Sequence, residues 1–250
     1  METRQERERE FHNHIFDSGE RHVTDKYYAV TKPSKGLYRK YLNDIPAGSN
    51  VLEYGCGPGS EAFGLAARGC SVKGIDISDV AIEQATDMAA SLGVSQNTSF
   101  LVMDAERLEF PDASFDYVCG SGILHHLDLS KSLPEIARVL RPGGKAIFFE
   151  PLGHNPVINL YRTLTPRLRT VDEHPLVMED FRLMKKHFTN MEIEFFHLTS
   201  IGTIIFRNST MFDRILKGFE SFDQAVFRYF PVMKRFAWIS VITFGNSRTS

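Results

Sequence analysis

The run with the clearest chemical potential is Glu53-Tyr54-Gly55-Cys56-Gly57-Pro58-Gly59. Glycines at these positions let the backbone turn tightly and approach a ligand closely. A helix beginning just after them offers its N-terminus to an anionic group. Taken alone, the run is equally well a glycine-rich turn. Asp76 follows Gly55 by 21 positions. An acid at that distance can accept both hydroxyls of a ribose, or simply cap a surface turn. Loop and acid together predict a ribose-bearing ligand.

Two details bear on which ligand. The glycines run G-x-G-x-G into Ser60 rather than G-x-G-x-x-G, and Glu53 stands directly before them. A carboxylate there is a poor neighbour for a pyrophosphate but suits a cationic amino-acid moiety. S-adenosylmethionine (SAM) carries an ammonium and a sulfonium and no phosphate, and fits better than NAD.

The elements that must position these residues alternate. Strands are expected at Asn50–Tyr54, Ser71–Ile77, Thr98–Met103, Phe115–Gly120 and Lys145–Glu150. Helices are expected over Ser60–Arg68, from an N-cap at Ser78 to Leu92, and up to Leu140 behind a capping box of Ser132 and Glu135. Such alternation argues for a parallel sheet covered on both faces. Residues 2–15 read as a solvated helix docking a narrow edge of Phe11 and Ile15, Pro33 reads as a break, and Gly36–Leu42 as a short helix. After Pro151 the order fails. Four prolines interrupt residues 151–177; a helix resumes over Glu179–His187, a strand over Met191–Leu198, helix over 201–236, and a last strand over Trp238–Phe244.

Residues 50–150 resemble a known family. Val51–Gly59 is similar to the first motif of class I SAM-dependent methyltransferases. Gly74-Ile75-Asp76-Ile77-Ser78 is similar to their ribose-binding motif, Asp104-Ala105 to the adenine-contacting pair, Phe115–Val118 to the fourth strand, and Leu140–Gly144 to the turn before the fifth. The resemblance spans roughly residues 50–150. It implies an α/β fold: a doubly wound, mostly parallel seven-stranded sheet with an antiparallel last strand. It implies Glu53, Gly55 and Gly57 along the methionine part of SAM and Asp76 and Ile77 at the ribose. Asp104 and Ala105 would lie at the adenine, with Gly120 and Ser121 by the sulfonium. One domain over 1–250 is expected, with an N-terminal helical cap (1–49), a SAM-binding core (50–150) and acceptor-side insertions (151–180 and 200–236).

Methyl transfer from SAM needs alignment and exclusion of water, plus a base where the acceptor starts protonated. Gly122-Ile123-Leu124-His125-His126-Leu127 follows the fourth strand, and His125 or His126 can serve as that base. Alternatively the pair is structural. His154 is a further candidate base. Tyr161, Arg162, Arg169 and His174 are candidate groups for a polar acceptor; equally, Arg169 can pair with Asp172 or Glu173 in an ordered loop. Phenylalanines interleaved with Arg and Lys over 201–236 suit an apolar lid, a membrane-surface contact, or a core-covering helix with a basic outer face.

A net charge of −2 gives no reason to expect nucleic acid. No apolar run reaches the roughly 18 residues of a membrane span. Cys56, Cys70 and Cys119 form no C-x-x-C pair and read as reduced thiols of a cytoplasmic protein. No two-histidine, one-carboxylate spacing stands out, so no metal is expected. The leading reading is a methyltransferase on a small-molecule acceptor, an O-directed one on a metabolite or natural-product intermediate, releasing S-adenosylhomocysteine. Competing readings are a lipid-like, prenylated acceptor at a membrane surface, an NAD(P)-linked oxidoreductase, and a non-catalytic SAM-binding protein.

Overall fold

Period-two alternation in the strands sets up two buried layers. Leu52, Tyr54, Val118, Phe148, Ile242 and Phe244 point to one face, and Val51, Cys119, Ile147, Phe149 and Val241 to the other. The computed structural model describes residues 3–18, 29–59, 61–165 and 173–246. Its strands are β1 Asn50–Tyr54, β2 Ser71–Asp76, β3 Thr98–Val102, β4 Phe115–Ser121, β5 Leu140–Pro151, β6 Thr189–Phe196 and β7 Ile239–Gly245. They form one seven-stranded sheet in the order β3-β2-β1-β4-β5-β7-β6. The pairs from β3 to β5 are parallel; β7 runs antiparallel to both β5 and β6. The expected seven-stranded α/β sheet with an antiparallel last strand is therefore present.

The chain winds outward from β1 through β2 to β3, then returns to lay β4 on the other side of β1. That reversal leaves a crevice at the carboxyl ends of β1 and β4, where open α/β sheets bind ligands. The glycine loop and the Leu-His-His turn both leave the sheet there.

The helices are α1 Arg4–Ser18, α2 Lys32–Asn43, α3 Ala62–Ala67, α4 Asp79–Ser91, α5 Leu129–Val139, α6 Pro156–Leu164, α7 Met178–His187 and α8 Phe212–Tyr229. Ser78 caps α4 as expected, its hydroxyl accepting from Ala81 N at 3.1 Å. Several expectations need correction. Pro33 does not break the chain but sits in the first turn of α2, where its missing N–H costs nothing. Asp128, not Ser132, caps α5: its carboxylate accepts from Ser130 N, while Ser132 is buried inside the helix and Glu135 binds Arg138 and Leu108 N. This earlier cap lets Leu129 and Leu133 share the buried face. Residues 201–236 are not one helix; turns of 3-10 helix at Ser200–Phe206 and Pro231–Phe236 flank α8. On α1 the most buried side chain is not apolar but Glu8, with Phe11 and Ile15 half-buried.

The first insertion leaves the sheet and returns to the same place. Leu152 and Leu176 bridge, with Gly153 N donating to Leu176 O and Leu176 N to Pro151 O. Asn155 anchors the segment. Its Oδ1 caps α6 at Val157 N and Ile158 N, and its Nδ2 donates to Phe236 O at 2.9 Å, tying this insertion to the chain before β7. Asn155 is fully buried, so Asn155→Ala leaves those groups without partners. The expected cost is about 1–3 kcal/mol in urea-denaturation stability.

Candidate active site

Three glycines of the loop after β1 adopt positive φ: +67° at Gly55, +52° at Gly57 and +92° at Gly59. The loop is stitched to β2. Cys56 N donates to Ile75 O, and Gly57 N to Asp76 Oδ2, both at 2.8 Å; the other Asp76 oxygen accepts from Ser78 N at 3.0 Å. Asp76 thus fixes the loop it was expected to work beside. Glu53 gives its two oxygens to Glu61 N and Ala62 N at the start of α3, at 3.1 and 2.9 Å. Sequence reasoning missed this capping role. A carboxylate oxygen holds two lone pairs, so a cationic group can still be received there.

Asp104 follows β3 on the same edge. Its Oδ1 accepts from Glu106 N at 2.8 Å, and burial raises its pKa above the usual carboxylate range. The Ala105 carbonyl accepts from the Tyr54 hydroxyl, and Ile77 is half-buried after β2. Gly120 closes the crevice floor: a Cβ there would stand 2.8–2.9 Å from Ile123, Phe148 and the Tyr54 carbonyl. Ser121 ends β4, exposed. Glu53, Asp76 and Asp104 line the ends of three neighbouring strands. A row of carboxylates disfavours phosphates and favours a polyhydroxyl ligand carrying positive charge. The residues present fit SAM.

The Leu-His-His segment folds as a single 3-10 turn, Leu124–His126, and its two histidine rings lie against each other, centroids 4.2 Å apart, yet take different partners. His125 is buried. Its Nδ1 lies 2.8 Å from Glu150 Oε2, and its ring edge faces Gly122. Glu150, itself fully buried, accepts from Ile123 N and Leu124 N through Oε1, both at 2.9 Å. A carboxylate with these partners acts only as acceptor, which assigns the His125 proton to Nδ1 and leaves Nε2 with a lone pair. Burial first, then His126, holds the His125 imidazole below the ordinary histidine range, against the opposite pull of Glu150 and Glu173. His125 Nε2 faces Glu173 Oε1 at 3.8 Å, and the same oxygen accepts from Arg162 at 2.9 Å.

His126 points instead to α1, with Nδ1 3.3 Å from Glu8 Oε2. Glu8 also meets His12, so a two-histidine, one-carboxylate set that no spacing in the sequence reveals converges in space.

Of the remaining candidates, Arg162 joins the His125 network through Glu173, and Tyr161 is half-buried beside it on α6. His154 lies half-buried in the turn before α6 and makes no hydrogen bond among the described residues. The His174 ring is exposed and faces Asp180; only its backbone N–H reaches the network, donating to His125 O at 2.8 Å. Arg169 lies outside the described residues. Sequence reasoning grouped Glu150 and Glu173 with the polar residues after the fifth strand and paired neither with His125. The signal was an acid at the end of the fifth strand. The cysteines are buried and free, and burial pushes the Cys56 and Cys119 thiols well up, which suits packing rather than nucleophilic work.

Residues 52–148 match the family model described as a methyltransferase domain. Over these residues the chain carries a methyltransferase domain. Among its relatives, 27-O-demethylrifamycin SV methyltransferase of Amycolatopsis mediterranei is 43% identical over 103 residues, covering 40% of this chain and 38% of the relative. The ubiquinone/menaquinone biosynthesis C-methyltransferase UbiE of Rickettsia massiliae is 36% identical over 151 residues, 55% of this chain and 59% of the relative. The chain therefore matches about half the length of such relatives or less. Phosphoethanolamine N-methyltransferase 2 of Haemonchus contortus, solved with phosphomonomethylethanolamine and S-adenosylhomocysteine, shares the fold. It superposes with a TM-score of 0.66 at 18% identity, covering 95% of this chain and 60% of that one. The names of these relatives span O-, C- and N-directed chemistry, while the methyltransferase-domain match ends just before Glu150.

The loop of this methyltransferase domain depends on conformations that a side chain resists. At Gly55 a Cβ would meet the Ile123 side chain at 2.6 Å on a backbone of positive φ. Gly55→Ala is expected to lower unfolding stability by about 1–3 kcal/mol, read as a reduced urea midpoint with an unchanged slope.

Proposed function

We propose that this chain transfers the methyl group of SAM to a hydroxyl of a small-molecule metabolite, with His125 as the base. The observation that carries this reading is the Glu150–His125 pair at the carboxyl edge of β4 and β5. SAM supplies a methyl carbon activated by sulfonium; the acceptor oxygen attacks it, the carbon–sulfur bond breaks, and S-adenosylhomocysteine leaves. The protein's own part is to orient, shield and receive one proton. Glu150 fixes the imidazole tautomer and its orientation, as the acid does in nucleophile–base–acid arrangements. His125 Nε2 then takes the hydroxyl proton, and Arg162 with Glu173 presents polar groups to the acceptor. Glu53, Asp76 and Asp104 receive the methionine, ribose and adenine parts. Asp76 also holds Gly57, so cofactor and loop are coupled.

The reading is tested by incubating metabolite extracts with the protein and methyl-labelled SAM and finding the labelled product by mass spectrometry. With that acceptor, His125→Ala should lower kcat about 10²-fold or more and leave SAM affinity nearly intact. Glu150→Gln should lower kcat with little change in KM. Undiminished turnover in His125→Ala overturns the base. In calorimetry, Asp76→Ala should weaken SAM binding by about 1–3 kcal/mol, the scale of hydrogen bonds to a charged group; unchanged affinity removes the ribose assignment. NADH binding without SAM binding would favour an oxidoreductase, and SAM binding without any labelled product a non-catalytic SAM-binding role.

A second reading has its own support. Phe212, Leu216 and Phe227 of α8 are buried, but Phe222, Tyr229, Phe230 and Val232 are exposed beside Arg228, Lys234 and Arg235. Apolar and basic groups together suit contact with an anionic lipid surface, and hence a lipid-like acceptor. Among the described residues no helix is long and apolar enough to cross a membrane. Stimulation of labelled-product formation by anionic liposomes would favour this acceptor class; indifference to them would favour a water-borne metabolite.

A further inference from the structure

Glu8 and His12 stand four residues apart on α1 and so share one face of the helix. That face meets His126 on the turn after β4. Glu8 Oε2 lies 3.3 Å from His12 Nε2 and 3.3 Å from His126 Nδ1, and one ligand atom from each residue falls within 4.8 Å of the other two. These separations are longer than an ordinary N–H···O hydrogen bond of about 2.9 Å. The two 3.3 Å separations from Glu8 suit a coordination shell. Bonds of about 2.0–2.1 Å at tetrahedral angles hold neighbouring ligand atoms about 3.3 Å apart.

We propose that Glu8, His12 and His126 bind a divalent first-row transition cation of the zinc type. Two imidazoles and one carboxylate select zinc, cobalt, iron or nickel over magnesium and calcium, which prefer an all-oxygen shell. Three protein ligands leave a position for water or another oxygen ligand. The location gives the ion a mechanical task as well. α1 lies across the candidate cofactor edge. Phe16 stands at Gly57, Asn13 bonds to Ser78 and Asp79 beyond β2, and Arg4 reaches Glu106 beyond β3. An ion shared with His126 would fasten this helix to the β4 side of the crevice as well, closing it at both ends.

The test uses the full chain, stripped with a chelator and titrated with Co²⁺ alone. One Co²⁺ per chain is expected, with the intense visible bands of a low-coordinate site, bleached by Zn²⁺. Glu8→Gln, His12→Ala and His126→Ala should each weaken binding about tenfold or more, while His14→Ala, exposed on the same helix, should not. Zn²⁺ should slow hydrogen exchange of the α1 amides several-fold in the parent protein and not in Glu8→Gln, a variant that keeps the helix-forming side chain. Absence of a stoichiometric Co²⁺ complex, or a complex that survives all three substitutions, overturns the site. Exchange of α1 unchanged by Zn²⁺ overturns the fastening role.

Discussion

The buried carboxylate of Glu150 holds the acceptor side of this molecule together. It ends a central strand in a position with no access to water, where a charged group persists only if every lone pair finds a donor. The donors come from the turn after β4: two consecutive backbone N–H groups and the His125 ring. Charge-assisted bonds of this kind contribute about 1.5–3 kcal/mol each. The turn, the imidazole orientation and the spacing of β4 from β5 are therefore one cooperative unit. The first insertion joins it through His174 N–H to the His125 carbonyl, and Arg162–Glu173 closes it from outside.

On the other side of the crevice, Asp76 plays the corresponding part. It pins Gly57 from β2 and caps the start of the next turn through Ser78. Glu53 does the same for α3. The acids proposed to face the ligand are thus also the supports of the glycine loop. The cost of three carboxylates along one edge is mutual repulsion, and a cationic, hydroxyl-rich ligand offsets it.

Most of β1 to β5 was legible because each strand, loop and helix is contiguous and its signals are local: period-two apolar residues, glycines before a helix, Ser78 before α4. The failures share a cause. Ser132 with Glu135 has the right spacing for a capping box, but burial of Leu129 and Leu133 required the helix to begin earlier, at Asp128. Pro33 reads as a break in isolation and as a helix start once Tyr38 and Leu42 find the sheet. Residues 201–236 show helical composition, yet the buried carboxylate of Asp223 accepts from the N–H groups of Leu198, Thr199 and Ser200 and fixes the entry to a separate run of 3-10 turns ahead of α8.

The sequence by itself marked the proposed donor half of the site, the loop at Gly55–Gly59 with Asp76 and Asp104, and determined the parallel sheet that aligns them. Motifs of that half recur at fixed distances along the chain because each strand–loop–helix unit has a nearly fixed length. It did not determine which histidine does what. His125 and His126 are adjacent on a 3-10 turn with ring centroids only 4.2 Å apart. Yet one meets Glu150 from β5 and the other meets Glu8 and His12 from α1. Their roles depend on partners 25 positions after His125 and more than 110 before His126, and only the assembled sheet with α1 laid across its edge brings those partners to them.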